Sequence, residues 1–174
     1  MKNLAGILLI FILIATLVFC GLNEQSSQTY LRIHIRANSN LQIDQTVKYV
    51  VKEKLVSYLT PLLAEAVTFE RAKEIIGQNL DNIELVTDNV LKSQGFCYGS
   101  SAEINHELFP TRSYDQYTLE SGFYDALIVN LGTGEGDNWW CVVYPPLCFT
   151  SSGQNNIVYK SKIMEIIENW KKSN

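Results

Sequence analysis

The chain has 174 residues, 14 of them basic and 18 acidic, for a formal charge of −4, and its mean hydropathy is zero. Lys2 is the only charged residue before position 23, so the remainder of the chain is an acidic stretch of about 150 residues, enough for one domain with a single core. An acidic surface lacks the clustered Lys and Arg that phosphate-backbone binding requires, and no nucleic-acid partner is expected.

The first element is the uncharged run Leu4 to Leu22. At about 1.5 Å per residue it spans roughly the ~30 Å hydrocarbon core of a bilayer. Residues 1–22 therefore read as a signal peptide or a signal-anchor, with residues 4–22 as the membrane-contacting part. The run exceeds the usual apolar length of a signal peptide, and Phe19 fits poorly before a cut at Gly21 or a lipidated Cys20. Lys2 ahead of the segment and an acidic remainder behind it place residues 23 onward outside the cytoplasm, secreted or anchored. Residues 23–29 form a polar tether, and residues 30–174 form the domain.

Tyr30 to Arg36 alternates, with Leu31, Ile33 and Ile35 on one face and Arg32, His34 and Arg36 on the other, and predicts a first strand. Ser39 followed by Gln42 has capping-box spacing. Ile43, Val47, Val50, Val51, Leu55, Tyr58 and Leu62 then predict a helix from about Leu41 to Leu59 that ends at Pro61. A second helical region begins at the cap residue Thr68 and closes at Gly95. Gly77 and Asn79-Leu80-Asp81-Asn82 in its middle allow two helices. Cys97 to Glu107, Phe123 to Leu131 and Asn138 to Tyr144 predict strands, and Ile157 to Lys171 a last helix. The order β-α-α-β-β-β-α indicates an α+β fold, a single domain with a mostly antiparallel sheet and helices packed on one face.

The unusual chemistry lies between residues 96 and 149, which hold three of the four prolines and most of the aromatics. In a strand from Asn138 to Tyr144, Trp139 and Trp140 point to opposite faces, so only one readily fills a given core. The other is covered by a helix, a loop or a partner. Cys141 and Cys148 flank Pro145-Pro146, and outside the cytoplasm they are candidates for a disulfide, with Cys97 left free. Pairing of Cys97 with either, or three reduced thiols, are the alternatives. Gly132-Thr133-Gly134-Glu135-Gly136 leads into a strand rather than a helix, which leaves no helix amino terminus for a phosphate, and reads as a hairpin turn. His34 and His106 lack metal-ligand spacing, so no metal and no cofactor are expected. A thiol hydrolase of the cell envelope, built from Cys97 or Cys141 with His34 or His106, is the rival reading, although no spacing selects it.

Three runs carry a family resemblance: His34-Ile35-Arg36-Ala37-Asn38-Ser39-Asn40 leading into Asp44-Gln45, then Phe109-Pro110-Thr111-Arg112-Ser113-Tyr114, and above all Gly132 to Cys141 with Pro145-Pro146-Leu147-Cys148-Phe149. Over about residues 30 to 171 the sequence resembles stage II sporulation protein R of endospore-forming Firmicutes. It departs from the family pattern at Asn40, at Asp115 and at Leu119-Glu120-Ser121-Gly122. The resemblance implies a signalling protein rather than an enzyme, exported from the forespore into the intermembrane space. There, by the same resemblance, it is expected to activate stage II sporulation protein GA, the membrane-embedded aspartic protease of the mother cell, which processes the sigma factor E precursor. Phe109, Thr111, Arg112, Asn138 and one of Trp139 and Trp140 are the residues expected to meet that partner. Asn38 and Ser39 are expected to serve a structural cap instead.

Overall fold

The computed structural model describes residues 30–114, 117–147 and 167–172. The alternating first run forms strand β1 (Leu31–Arg36), followed by helix α1 (Gln42–Leu63), α2 (Phe69–Gly77) and α3 (Leu80–Ser93). Strands β2 (Ser100–Phe109), β3 (Arg112–Tyr114), β4 (Tyr117–Leu119), β5 (Gly122–Leu131) and β6 (Asn138–Tyr144) complete the order. The α+β class and the mostly antiparallel sheet are as expected. The expected element order gains a third helix and the small β3–β4 hairpin. Of the expected last helix, residues 167–172 are helical and the rest lies outside the described residues, as do residues 1–29.

The main sheet has the order β2-β5-β1-β6. The β1–β5 pair is parallel, while β1–β6 and β2–β5 are antiparallel. Because β1 lies between β5 and β6, the glycine-rich segment joining those two strands is not a hairpin turn. It crosses the end of β1, and the loop that leaves β1 occupies the space beneath it.

Helices α1, α2 and α3 pack on one face of this sheet. Leu31, Ile33 and Ile35 of β1 meet Val47, Val51, Leu55 and Leu59 of α1, Ile75 and Ile76 of α2, and Ile83 and Leu91 of α3 in one buried cluster. The burial on α1 follows the i, i+4 line through Val47, Val51, Leu55 and Leu59. Ile43 and Val50, expected on the same stripe, fall to the side and are exposed. The helix also passes Pro61 and ends at Leu63. Proline costs a helix about 3 kcal/mol through its missing N–H and its ring clash, and here burial of Leu59 and Leu63, both at zero exposure, offsets that.

The other helix signals act as expected. Thr68 Oγ1 accepts the Arg71 N–H at 3.1 Å. Gly95 sits at φ +83°, with Phe96 N–H on Leu91 O at 3.0 Å and Gly95 N–H on Lys92 O at 3.1 Å, a Schellman ending of α3. The capping box does not form. The helix starts at Gln42 with Leu41 at the cap position, so Ser39 lies two residues too early; its Oγ accepts the Leu41 N–H at 3.1 Å and donates to Asp44 at 2.5 Å.

Candidate functional site

Two regions hold the residues singled out in the sequence. The first is a latch between the loop after β1 and the segment between β5 and β6, which joins two of the three family-like runs. Asn38 Oδ1 accepts the Thr133 N–H at 3.0 Å, and Thr133 Oγ1 donates to Asn38 O at 2.9 Å. Gly136 N–H donates to Ala37 O at 2.8 Å, and Asp137 N–H donates to Asn40 Oδ1 at 2.6 Å. Lys48, at 1 % exposure, donates from Nζ to Gln45 Oε1 and to Asp137 O, both at 2.7 Å. The glycines are required by proximity. A Cβ on Gly132, at φ +58°, would stand 2.2 Å from Asn38 Oδ1, and one on Gly136 would stand 2.3 Å from Ser39 O.

Beneath the latch, Asp44 is 3 % exposed and accepts from Ser39 Oγ, Tyr98 Oη at 2.6 Å and Asn38 Nδ2 at 3.1 Å. Burial by itself raises its pKa, but the hydrogen bonds from Ser39, Tyr98 and Asn38 outweigh that and hold the carboxyl below its ordinary value, as expected for a carboxylate with several donors. Tyr98 is pushed well above its ordinary value by burial and by its bond to that carboxylate. Asn38 and Ser39 are therefore structural, but they anchor Asp44 rather than cap the helix as expected.

The second region is the sheet face opposite the helices. Arg32, His34 and Arg36 of β1 lie on it, and alternation alone reads them as solvated. Instead Arg32 is fully buried and His34 is 2 % exposed. The Arg32 guanidinium lies 4.3 Å from the Phe109 ring centroid and 4.9 Å from that of Tyr124, and Nη2 donates to Tyr114 Oη at 2.8 Å. Its Nε and Nη1 have no hydrogen-bond partner among the described residues. Contact with aromatic faces compensates part of that desolvation. Trp140 stacks on His34 at 3.7 Å between centroids, and Phe109 meets Trp140 edge-on at 4.8 Å. Glu107 accepts from Arg36 Nη2 with both oxygens at 2.7 Å and lies 3.3 Å from His34 Nδ1.

Burial is the largest influence on His34 and lowers its pKa. Asn138 opposes this through its side chain, Arg36 adds to the lowering, and Glu107 again opposes it. With a depressed folded pKa, the unfolded chain takes up a proton first as pH falls through about 6.5. Stability is full above that pH and is lost below it, down to the folded pKa. A His34→Gln variant is expected to show a smaller drop in melting temperature than the parent between pH 7.5 and 5, measured by circular dichroism.

The expected partner-binding residues divide. Phe109 is fully buried in the second cluster with Ala126 and Ile128 and does not belong to an exposed surface, because its ring lies over Arg32. Thr111, Arg112 and Asn138 are exposed, and Trp139 and Trp140 are half-buried. The tryptophans take opposite faces, as alternation predicts: Trp139 packs against the helix-side core and Trp140 against Phe109. Thr111 closes the neck of the β3–β4 excursion, accepting the Ser121 N–H at 3.0 Å. Sequence reasoning placed Arg32, His34 and Arg36 on one strand face but foresaw neither the burial of Arg32 and His34 nor Glu107 as a partner, whose signal was a charged strand face opposite an aromatic-rich half.

Cys141 is disulfide-bonded, while Cys97 is free and exposed; Cys148 lies outside the described residues. His106 engages Asp125 at 2.8 Å, and Lys73 reaches the same carboxylate. From Ser100 to His106 a strand covers about 20 Å, so Cys97, ahead of Ser100, is remote from that histidine. Among the described residues no group of His, Cys, Asp and Glu is placed to hold a metal ion, and no helix is long and apolar enough to cross a membrane.

The fold and these two regions define an α+β domain organised around a latched pair of loops and a buried arginine–aromatic sheet face. The latch accounts for why the runs Ala37 to Asn40 and Gly132 to Asp137 belong together. The family profile described as stage II sporulation protein R matches residues 27–154, and the chain belongs to that family of sporulation proteins. Over 135 residues it is 29 % identical to stage II sporulation protein R of Bacillus subtilis (strain 168), a match covering 78 % of this chain. The chain spans 60 % of the length of that curated relative. No solved structure matches it.

Proposed function

We propose that this protein is an exported sporulation signal that docks on the extracytoplasmic side of the membrane-embedded aspartic protease stage II sporulation protein GA. Docking shifts the protease toward its active state, so that the sigma factor E precursor is processed in the mother cell. Such a shift requires tighter binding to the active state than to the inactive one. Family membership is the observation that carries this reading. The disulfide at Cys141 supports an oxidising, extracytoplasmic setting, with Cys148 as the proposed partner sulfur and residues 4–22 as the export segment or anchor. The thiol-hydrolase rival loses support, since Cys141 is bonded, and Cys97 is remote from His106.

Arg112, exposed on β3, with Thr111 and Asn138, is the proposed contact, and arginines are frequent binding anchors. An Arg112→Glu variant is expected to weaken docking by about 2 kcal/mol, roughly thirty-fold. Protein level should hold, because exposed substitutions usually stay within about 0.5 kcal/mol in stability. Immunoblots of the sigma factor precursor in a sporulating host check this, and unchanged processing removes Arg112 from the interface. Co-expression of the chain with the protease and its substrate tests activation itself: cleavage that proceeds equally without the chain refutes it.

A further inference from the structure

β2 is a ten-residue strand at the edge of the main sheet. In an antiparallel pair, alternate residues turn both backbone groups away from their neighbour, and an edge strand leaves these groups open to another chain. The residues that do so here are fixed by α3: Ser100 N–H donates to Asp88 Oδ1 at 2.7 Å and Ala102 N–H to Glu84 Oε1 at 2.6 Å. The register with β5 runs without interruption to Phe109, so Ile104, His106 and Leu108 face outward in the same way. The first half of the edge is thus closed by two carboxylates of α3. In the second half His106 N–H takes only the neighbouring Asn105 Oδ1, at 2.8 Å, and Ile104 and Leu108 make no outward hydrogen bond among the described residues.

We propose that the segment Ile104–Phe109 accepts an extended strand of a partner protein in which apolar and basic residues alternate. The backbone supplies the pairing groups, and the two faces of the edge set the side-chain pattern. On the helix side, Leu108 is 58 % exposed, and its register partner Phe123 is 61 % exposed. On the other side stand Glu103, exposed and without an ion pair among the described residues, and Glu107. A strand with apolar residues toward Leu108 and Lys or Arg toward Glu103 satisfies both faces. A second copy of this chain does not. Antiparallel self-pairing about His106 sets Glu103 opposite the other copy's Phe109 and diagonal to its Glu107, which is already held by Arg36, so Glu103 gains no basic partner across the strands. This inference deepens the docking reading and rests on it only for which protein supplies the strand.

The test uses the full chain in detergent micelles with two eight-residue peptides, one alternating Lys and Val and one alternating Glu and Val. The Lys-Val peptide is expected to slow amide hydrogen exchange at Ile104 and Leu108 by at least about tenfold, and the Glu-Val peptide to leave it unchanged. Leu108→Pro, which removes an outward donor, and Leu108→Lys, which keeps the backbone but charges the edge, should each abolish the protection. Equal protection by both peptides, none by either, or protection indifferent to both variants overturns the proposal. So does protection that appears on concentrating the chain alone, which assigns the edge to self-association. Peptide selection by the parent chain, together with normal sigma factor processing by Leu108→Lys, upholds the edge and shows that the protease is not its occupant.

Discussion

Replacing Asp44 by alanine is expected to destabilise the domain by about 4 kcal/mol, close to the upper end for single substitutions. Hydrogen bonds to a charged group contribute about 1.5–3 kcal/mol each, and donors left unpaired add their own desolvation cost. Asp44 receives three such bonds, from Ser39, Tyr98 and Asn38. The loss corresponds to a melting temperature lower by roughly 10 °C in a domain of this size. Urea denaturation of Asp44→Ala and Asp44→Asn should separate the contributions. Asparagine keeps the shape and one acceptor oxygen but turns its NH2 either toward Tyr98 or toward the pair Asn38 and Ser39, so it should recover only part of the loss. The pH dependence has a fixed sign. A carboxyl held below its ordinary value contributes stability that is present above the unfolded pKa near 3.9 and is lost as pH falls through the folded pKa. The parent chain should therefore lose stability on acidification below about pH 4 more steeply than Asp44→Ala. A change of less than about 1 kcal/mol in Asp44→Ala would mean that Asn38, Ser39 and Tyr98 find solvent instead.

The importance of Asp44 was hidden because periodicity treats it as a polar residue in the first turn of α1. Its partners lie outside that helix, and Tyr98 is 54 positions away. The same limit explains what else was and was not legible. Alternation identifies β1 and puts Arg32 and His34 opposite Ile33, and both statements hold. A period of two separates the faces of a strand but does not say whether the second face is wet. Here Phe109, Tyr114, Tyr124 and Trp140 cover it, and Phe109 becomes core. The opposite placement of Trp139 and Trp140 needed only the strand geometry and was readable in advance. Strands β3 and β4, three residues each, are too short for any period to register. The turn between β5 and β6 misled for a topological reason. Glycines between two strands suggest a hairpin when the strands are neighbours, and the insertion of β1 between them is a non-local fact. Family-like runs nonetheless pointed to the right residues, because Asn38 and Gly132 constrain each other from distant parts of the chain.

That mutual constraint makes Gly136→Ala the second large effect, expected at about 3 kcal/mol. The added Cβ would stand 2.3 Å from Ser39 O, 2.6 Å from Ser39 C and 3.0 Å from Ala37 Cβ. Two of those contacts are backbone, so relief requires the loop after β1 to move rather than a side chain to rotate. Moving it strains the bonds from Gly136 N–H to Ala37 O and from Asp137 N–H to Asn40 Oδ1. Ser39 is also the residue whose hydroxyl is anchored on Asp44 and whose carbonyl accepts from Gln45 Nε2 at 2.9 Å. The anchor and the clash act on the same residue. Residues that share a partner depart from additivity by about 0.5–3 kcal/mol, and the sign follows from the geometry. Once Asp44→Ala has released Ser39, the loop can yield to the new methyl group, so the double variant should lose at least about 1 kcal/mol less than the sum of the single losses. Equilibrium unfolding of the four proteins in the cycle measures the term directly. Strict additivity would mean that Asp44 and the glycine latch hold the loop independently, and a loss greater than the sum would mean that the latch tightens when the carboxylate is gone.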